Sequence, residues 1–153
     1  MPSIKPLGSW SSEPLPGDPA EGLTEEELKA FVGLSLDSAH TDGSNLVVVI
    51  HLSRPLAPAA EVSAYVFGYH AGIAFAKMPK INILLNAAGE RVSDQSRVIA
   101  DPGVRVDRSL KQITIKVPLQ LLANPDRIIL SARTHLGELP LDWTAWRVLT
   151  VTP

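Results

Sequence analysis

The chain has 153 residues, 45% of them hydrophobic and 20% charged, a balance that suits one globular domain with a core that needs no covalent staple. It holds no cysteine, which excludes a disulfide framework, a thiolate metal site and a thiol nucleophile. Its 14 basic and 16 acidic residues are interspersed, with a net charge of −2 and no basic stripe of the kind a nucleic-acid binder carries, so nucleic acid is not an expected partner. Residues 1–22 contain five prolines, Pro2, Pro6, Pro14, Pro16 and Pro19. Proline fixes φ and has no amide donor, so this stretch reads as an extended arm, with Trp10 as its candidate contact to a partner chain. The residues after Met1, Pro2-Ser3-Ile4-Lys5-Pro6, carry no apolar signal core, which points to the cytoplasm for a chain that begins there. No run approaches the ~18 apolar residues of a membrane helix, so no membrane partner is expected.

Residues 23–153 read as a single β domain. Thr24-Glu25-Glu26-Glu27 has the spacing of a capping box and predicts one turn of helix, followed by a strand over 29–37. The polar stretch Asp37 to Asn45, with Thr41-Asp42-Gly43-Ser44-Asn45 at its end, predicts a turn that opens onto a strand over Leu46–Leu52. Pro55 and Pro58 interrupt the chain. Residues 61–70 then alternate, with Val62, Ala64, Val66 and Gly68 on one face and Tyr65, Phe67 and Tyr69 on the other. A strand over 80–85 places Ile81, Ile83 and Leu85 inward, and Asn86 to Gly89 reads as a turn. Residues 90–109 are polar and offer only short edge strands around Asp101-Pro102-Gly103. The clearest alternation is Gln112–Val117. Pro118 ends it and opens a short helix over 119–123, and further strands follow over 127–134 and 146–151. Eight or nine strands at close spacing, with one short helix near 118–123, predict a two-sheet antiparallel sandwich of jelly-roll or immunoglobulin-like type.

Chemistry-bearing residues are sparse. His40, His51, His70 and His135 stand apart, without the i, i+2 or i, i+4 spacing that builds a metal site. No nucleophile elbow, Walker loop or dinucleotide fingerprint occurs, so no catalytic residue is assigned and the chain is expected not to be an enzyme. Asp37 and Asp42 flank a turn and are where a calcium ion would be sought; no other cofactor is expected. Aromatic rings are the remaining lead, because pyranoses stack their apolar faces on flat side chains. Tyr65, Tyr69, Trp143 and Trp146 are the candidate ligand-binding residues. Against this, Phe67 between two tyrosines suggests that the same face packs into the core.

Val117-Pro118-Leu119-Gln120-Leu121-Leu122 between two strands, the Leu46–Leu52 strand after a polar turn, and the terminal Trp146-Arg147-Val148 resemble segments of one sandwich group. That group comprises family-nine-type carbohydrate-binding modules, the C-terminal domain of glucodextranase-like proteins and DOMON domains. The resemblance implies a non-catalytic binding or accessory module for carbohydrate. The sugar-binding members hold their ligand between two tryptophans from separate parts of the sheet, whereas Trp143 and Trp146 lie three residues apart here. The haem-binding members use Met with His or Lys, and Met78, beside Pro79, has no such partner by spacing with His70 or His135, so haem is not expected. The other function class is a structural or protein-interaction domain that assembles with another chain, or with its own copy as a homo-oligomer, through the arm or a sheet face.

Overall fold

Alternation of aliphatic with polar side chains drives almost every element into extended backbone, and the computed structural model describes it for residues 24–25 and 31–151. The expected arm over 1–22, with Trp10, lies outside the described residues, as does most of the expected helix start, of which only Thr24 and Glu25 are described. Eleven strands follow: β1 Leu34–Asp42, β2 Asn45–Leu52, β3 Glu61–Tyr69, β4 Lys80–Asn86, β5 Gly89–Asp94, β6 Arg97–Val98, β7 Arg105–Arg108, β8 Gln112–Pro118, β9 Arg127–Leu136, β10 Leu139–Trp143 and β11 Arg147–Thr150. Two short 3-10 turns, Phe75–Lys77 and Leu119–Leu122, interrupt them, the second where the short helix after Pro118 was expected.

The strands form two antiparallel sheets, as the sequence predicts for an all-β sandwich. One has four strands in the order β1-β2-β8-β7. The other has seven, in the order β10-β9-β3-β4-β5-β6, with β11 also paired to β9. The strand count exceeds eight or nine because β5, β6 and β7 are short and mostly polar, and β10 is short and carries Pro140. Ladder hydrogen bonds to a neighbouring strand hold them, and Val92 of β5 and Leu141 of β10 are their only buried side chains.

The first strand is shifted from its expected place. Leu34 begins it, because Gly33 and Leu34 are tied to a loop and to β10: the Gly33 amide donates to Ser53 Oγ at 2.8 Å and the Leu34 amide to Asp142 Oδ2 at 3.0 Å. It runs on to Asp42, because Gly43, at φ 60°, closes a two-residue loop and brings Asp42 opposite Asn45. The polar residues expected as turn are therefore an edge strand.

The core lies between the sheets. Leu46, Ile50, Ile115 and Val117 of the small sheet meet Val62, Ile81, Ile83, Leu85 and Ile128 of the large one, all fully buried. Two arginines join the sheets at their rims. Arg108 on β7 donates to the Asn86 and Gly89 carbonyls at 2.6 and 2.8 Å, and Arg147 on β11 donates to the Leu36 carbonyl at 2.7 Å. Among the described residues no helix is long and apolar enough to cross a membrane.

Candidate functional site

On β3 the small side chains face the core. Val62, Ala64 and Val66 are buried, whereas Tyr65, Phe67 and Tyr69 lie half-buried on the outward face of the large sheet. The expectation that Phe67 marks a core face is thus corrected. One contact accounts for this: Gly68 points at the Leu119–Leu122 turn, and a Cβ there would stand 2.6 Å from the Leu122 carbonyl oxygen. That close approach leaves no room for a large residue at this end of the inward face.

Register then assembles the outward face, since cross-strand partners sit side by side. Val148, Ile129, Phe67 and Lys80 form one row. Ser131, Tyr65, Asn82 and Ser93 form the next, and Trp143, Arg133, Ser63, Leu84 and Arg91 a third. On the other side of the Phe67 row lie Thr150, Arg127 and Tyr69.

Trp146 reaches this face through an irregularity at the sheet edge. β11 pairs with the first half of β9, over Arg127–Leu130, and β10 with the second half, over Arg133–Leu136. Thr144 bridges the gap: its amide donates to the Ala132 carbonyl at 2.9 Å, and its hydroxyl oxygen accepts from the Ala132 amide at 3.0 Å. The crossing turns Trp146 onto the sheet, its ring centroid 5.2 Å from that of Phe67 and 6.5 Å from that of Tyr65. On the far side Phe75 meets Phe67 edge-on at 6.4 Å. Phe75 is 60% exposed and Val148 64% exposed, so the rings end in open apolar surface.

Cations frame the rings. Arg133 lies over Tyr65, Arg127 over Tyr69, and the Lys80 ammonium 4.2 Å above Phe75. Lys80 also donates to the Phe75 and Met78 carbonyls. Two buried polar atoms flank Tyr65, Asn82 Oδ1 and Arg133 Nε, and neither makes a hydrogen bond among the described residues. Unmet capacity of this kind costs about 1–3 kcal/mol per group.

Of the expected ligand-binding residues, Tyr65 and Trp146 are brought into one cluster. Tyr69 lies on the same face in the Arg127 row, and Trp143 ends β10 opposite Arg133. Phe67, expected in the core, and Phe75, not named in the sequence analysis, complete the cluster; Phe67 shares the alternation of Tyr65 and Tyr69, whereas Phe75 lies outside any strand. Asp37 and Asp42 are both exposed on β1, where the Ser35 hydroxyl donates to Asp37 at 3.1 Å. Among the described residues no group of three or more His, Asp or Glu converges as metal ligands.

A second constellation sits at one end of the same face. Ser63 Oγ lies 2.8 Å from His135 Nε2, and His135 Nδ1 lies 2.7 Å from the Gly137 carbonyl and 3.7 Å from Glu61 Oε1. The order resembles nucleophile, base and orienting acid. Yet Ser63 is 2% and His135 5% exposed, and the Nδ1 proton goes to a backbone carbonyl that only accepts. The Ser63–His135 contact joins β3 to β9 as a closed buried clip. His70 Nε2 similarly donates to the Leu122 carbonyl at 3.2 Å, and Met78 is buried behind the Phe75–Lys77 turn. No protein-family model matches the chain, and no curated protein matches it.

Proposed function

We propose that this chain is a non-catalytic binding module that takes a carbohydrate on the outward face of its large sheet. The observation that carries this reading is the ring cluster of Trp146, Phe67 and Tyr65, held half-exposed on a rigid sheet rather than in the core. Sugar C–H faces pack on such rings, and polar groups beside them fix orientation. Asn82, Ser93 and Arg133 supply those groups from the adjacent rows. The resemblance of the Val117–Leu122 segment to family-nine-type modules points the same way. Affinity electrophoresis of the full chain in gels containing soluble polysaccharides tests it. Retardation by at least one polysaccharide, lost in Trp146→Ala, is expected; unchanged mobility across the panel overturns the reading.

A second reading, assembly through this face, draws on the open apolar surface at Phe75 and Val148. Light scattering on the full chain and on a version lacking residues 1–22 separates the two. A dimer that Val148→Asp dissolves favours assembly through the sheet. A dimer lost with residues 1–22 favours the arm.

A further inference from the structure

The charge of the outward face differs from that of the chain. Counting outward positions on β3, β4, β5, β9 and β11, four are cationic (Lys80, Arg91, Arg127 and Arg133) and one, Glu61, is a carboxylate. The whole chain carries −2. Glu61 sits at one end, beside Asn86 and His135, away from the rings. Among the described residues no carboxylate forms an ion pair with Lys80, Arg91, Arg127 or Arg133. Three of the four are instead laid against aromatic rings, with no carboxylate counter-ion among the described residues.

Cations without carboxylate partners, collected around rings, are complementary to a ligand that has both flat apolar faces and regularly spaced negative charge. Arg127 and Arg133 lie six residues apart on β9, on the order of 20 Å at the rise of a strand, and Lys80 stands two strands away. That spread suits a polymer rather than a single anion. Arginine also matches carboxylate geometry with two parallel donors.

We infer that the ligand of this face is an anionic polysaccharide, with sugar rings over Trp146, Phe67 and Phe75 and uronate carboxylates paired by Arg127, Arg133, Lys80 and Arg91. The inference rests on the carbohydrate-binding reading and adds the ligand's charge to it.

Polygalacturonate and its fully methyl-esterified form share one backbone and differ in charge, so they isolate the claim. Calorimetric titration of the full chain with each, at low and moderate salt, is the test. The acidic form is expected to bind roughly tenfold or more tightly than the ester, with a preference that shrinks as salt rises. Arg127→Gln and Arg91→Gln change exposed side chains and leave the fold intact; together they are expected to remove most of the preference while binding to the ester persists. Equal affinity for the two forms, or binding confined to neutral xylan or glucan, overturns the inference and leaves the carbohydrate reading standing. Absence of binding to acidic and neutral polysaccharides alike overturns both. Tighter binding to a peptide of residues 1–22 than to polygalacturonate also overturns it, because the acidic, Pro-rich segment is then the better occupant.

Discussion

The two sheets have solvent faces of different kinds. On the small sheet the rows on the face away from the core read His40, Val47, Lys116, Arg105 and Ser38, Val49, Thr114, Asp107, β-branched or polar side chains with charges of both signs, among which Val47 is buried. No aromatic residue occurs in β1, β2, β7 or β8. The large sheet instead carries Tyr65, Phe67, Tyr69, Trp143 and, from the crossing between β10 and β11, Trp146, with cations predominating around them. The small sheet shows that β-branched and polar residues are enough to finish a sheet against water in this fold. The rings on the other sheet are therefore the feature on which the proposed binding reading rests.

That contrast can be broken from several sides. The largest effect belongs to the shared core: Ile83→Ala, at a fully buried position, is expected to cost about 2–5 kcal/mol in denaturant unfolding and to leave ligand preference intact. A stability loss under 1 kcal/mol there contradicts the placement of the core. Gly68→Ala forces a methyl group against the Leu122 carbonyl, and a loss of about 1–3 kcal/mol by thermal melting is expected. Full stability in that variant would mean that the Gly68–Leu122 approach is not what turns Tyr65, Phe67 and Tyr69 outward. Ser63→Ala leaves buried His135 Nε2 without its partner and is expected to cost about 1–3 kcal/mol. Trp146→Ala removes ring contacts worth about 0.5–1.5 kcal/mol in stability, and under the proposed function it is expected to abolish polysaccharide binding in affinity electrophoresis. The smallest effect is the mirror experiment: Lys116→Ala, exposed on the small sheet, is expected to stay within about 0.5 kcal/mol and to change no binding isotherm.

Much of the fold was legible in the sequence because a period of two is a local property. Ile113, Ile115 and Val117 alternate and are buried, and Pro118 ends their strand where expected, with the 3-10 turn Leu119–Leu122 directly after it. Local pattern does not say which of two faces is inward, however. On β3 the larger rings suggested the core face, and the deciding contact, Gly68 against Leu122, joins residues far apart in sequence. The cationic ring face was illegible for the same reason. Lys80, Arg91, Arg127 and Arg133 are interspersed with acidic residues along the chain, and only the pairing of β4, β5 and β9 with their neighbours gathers them on one side. Trp143 and Trp146 read as a pair in sequence, but the Thr144–Ala132 crossing carries Trp146 alone onto Phe67.

Backbone amide chemical-shift mapping during titration of the full chain with polygalacturonate tests most directly whether the ring-bearing sheet is the binding face. Shifts concentrated in 65–69, 80–84, 127–133 and 146–150 are the predicted result. Shifts concentrated in 34–52 and 105–118, the small sheet, contradict it.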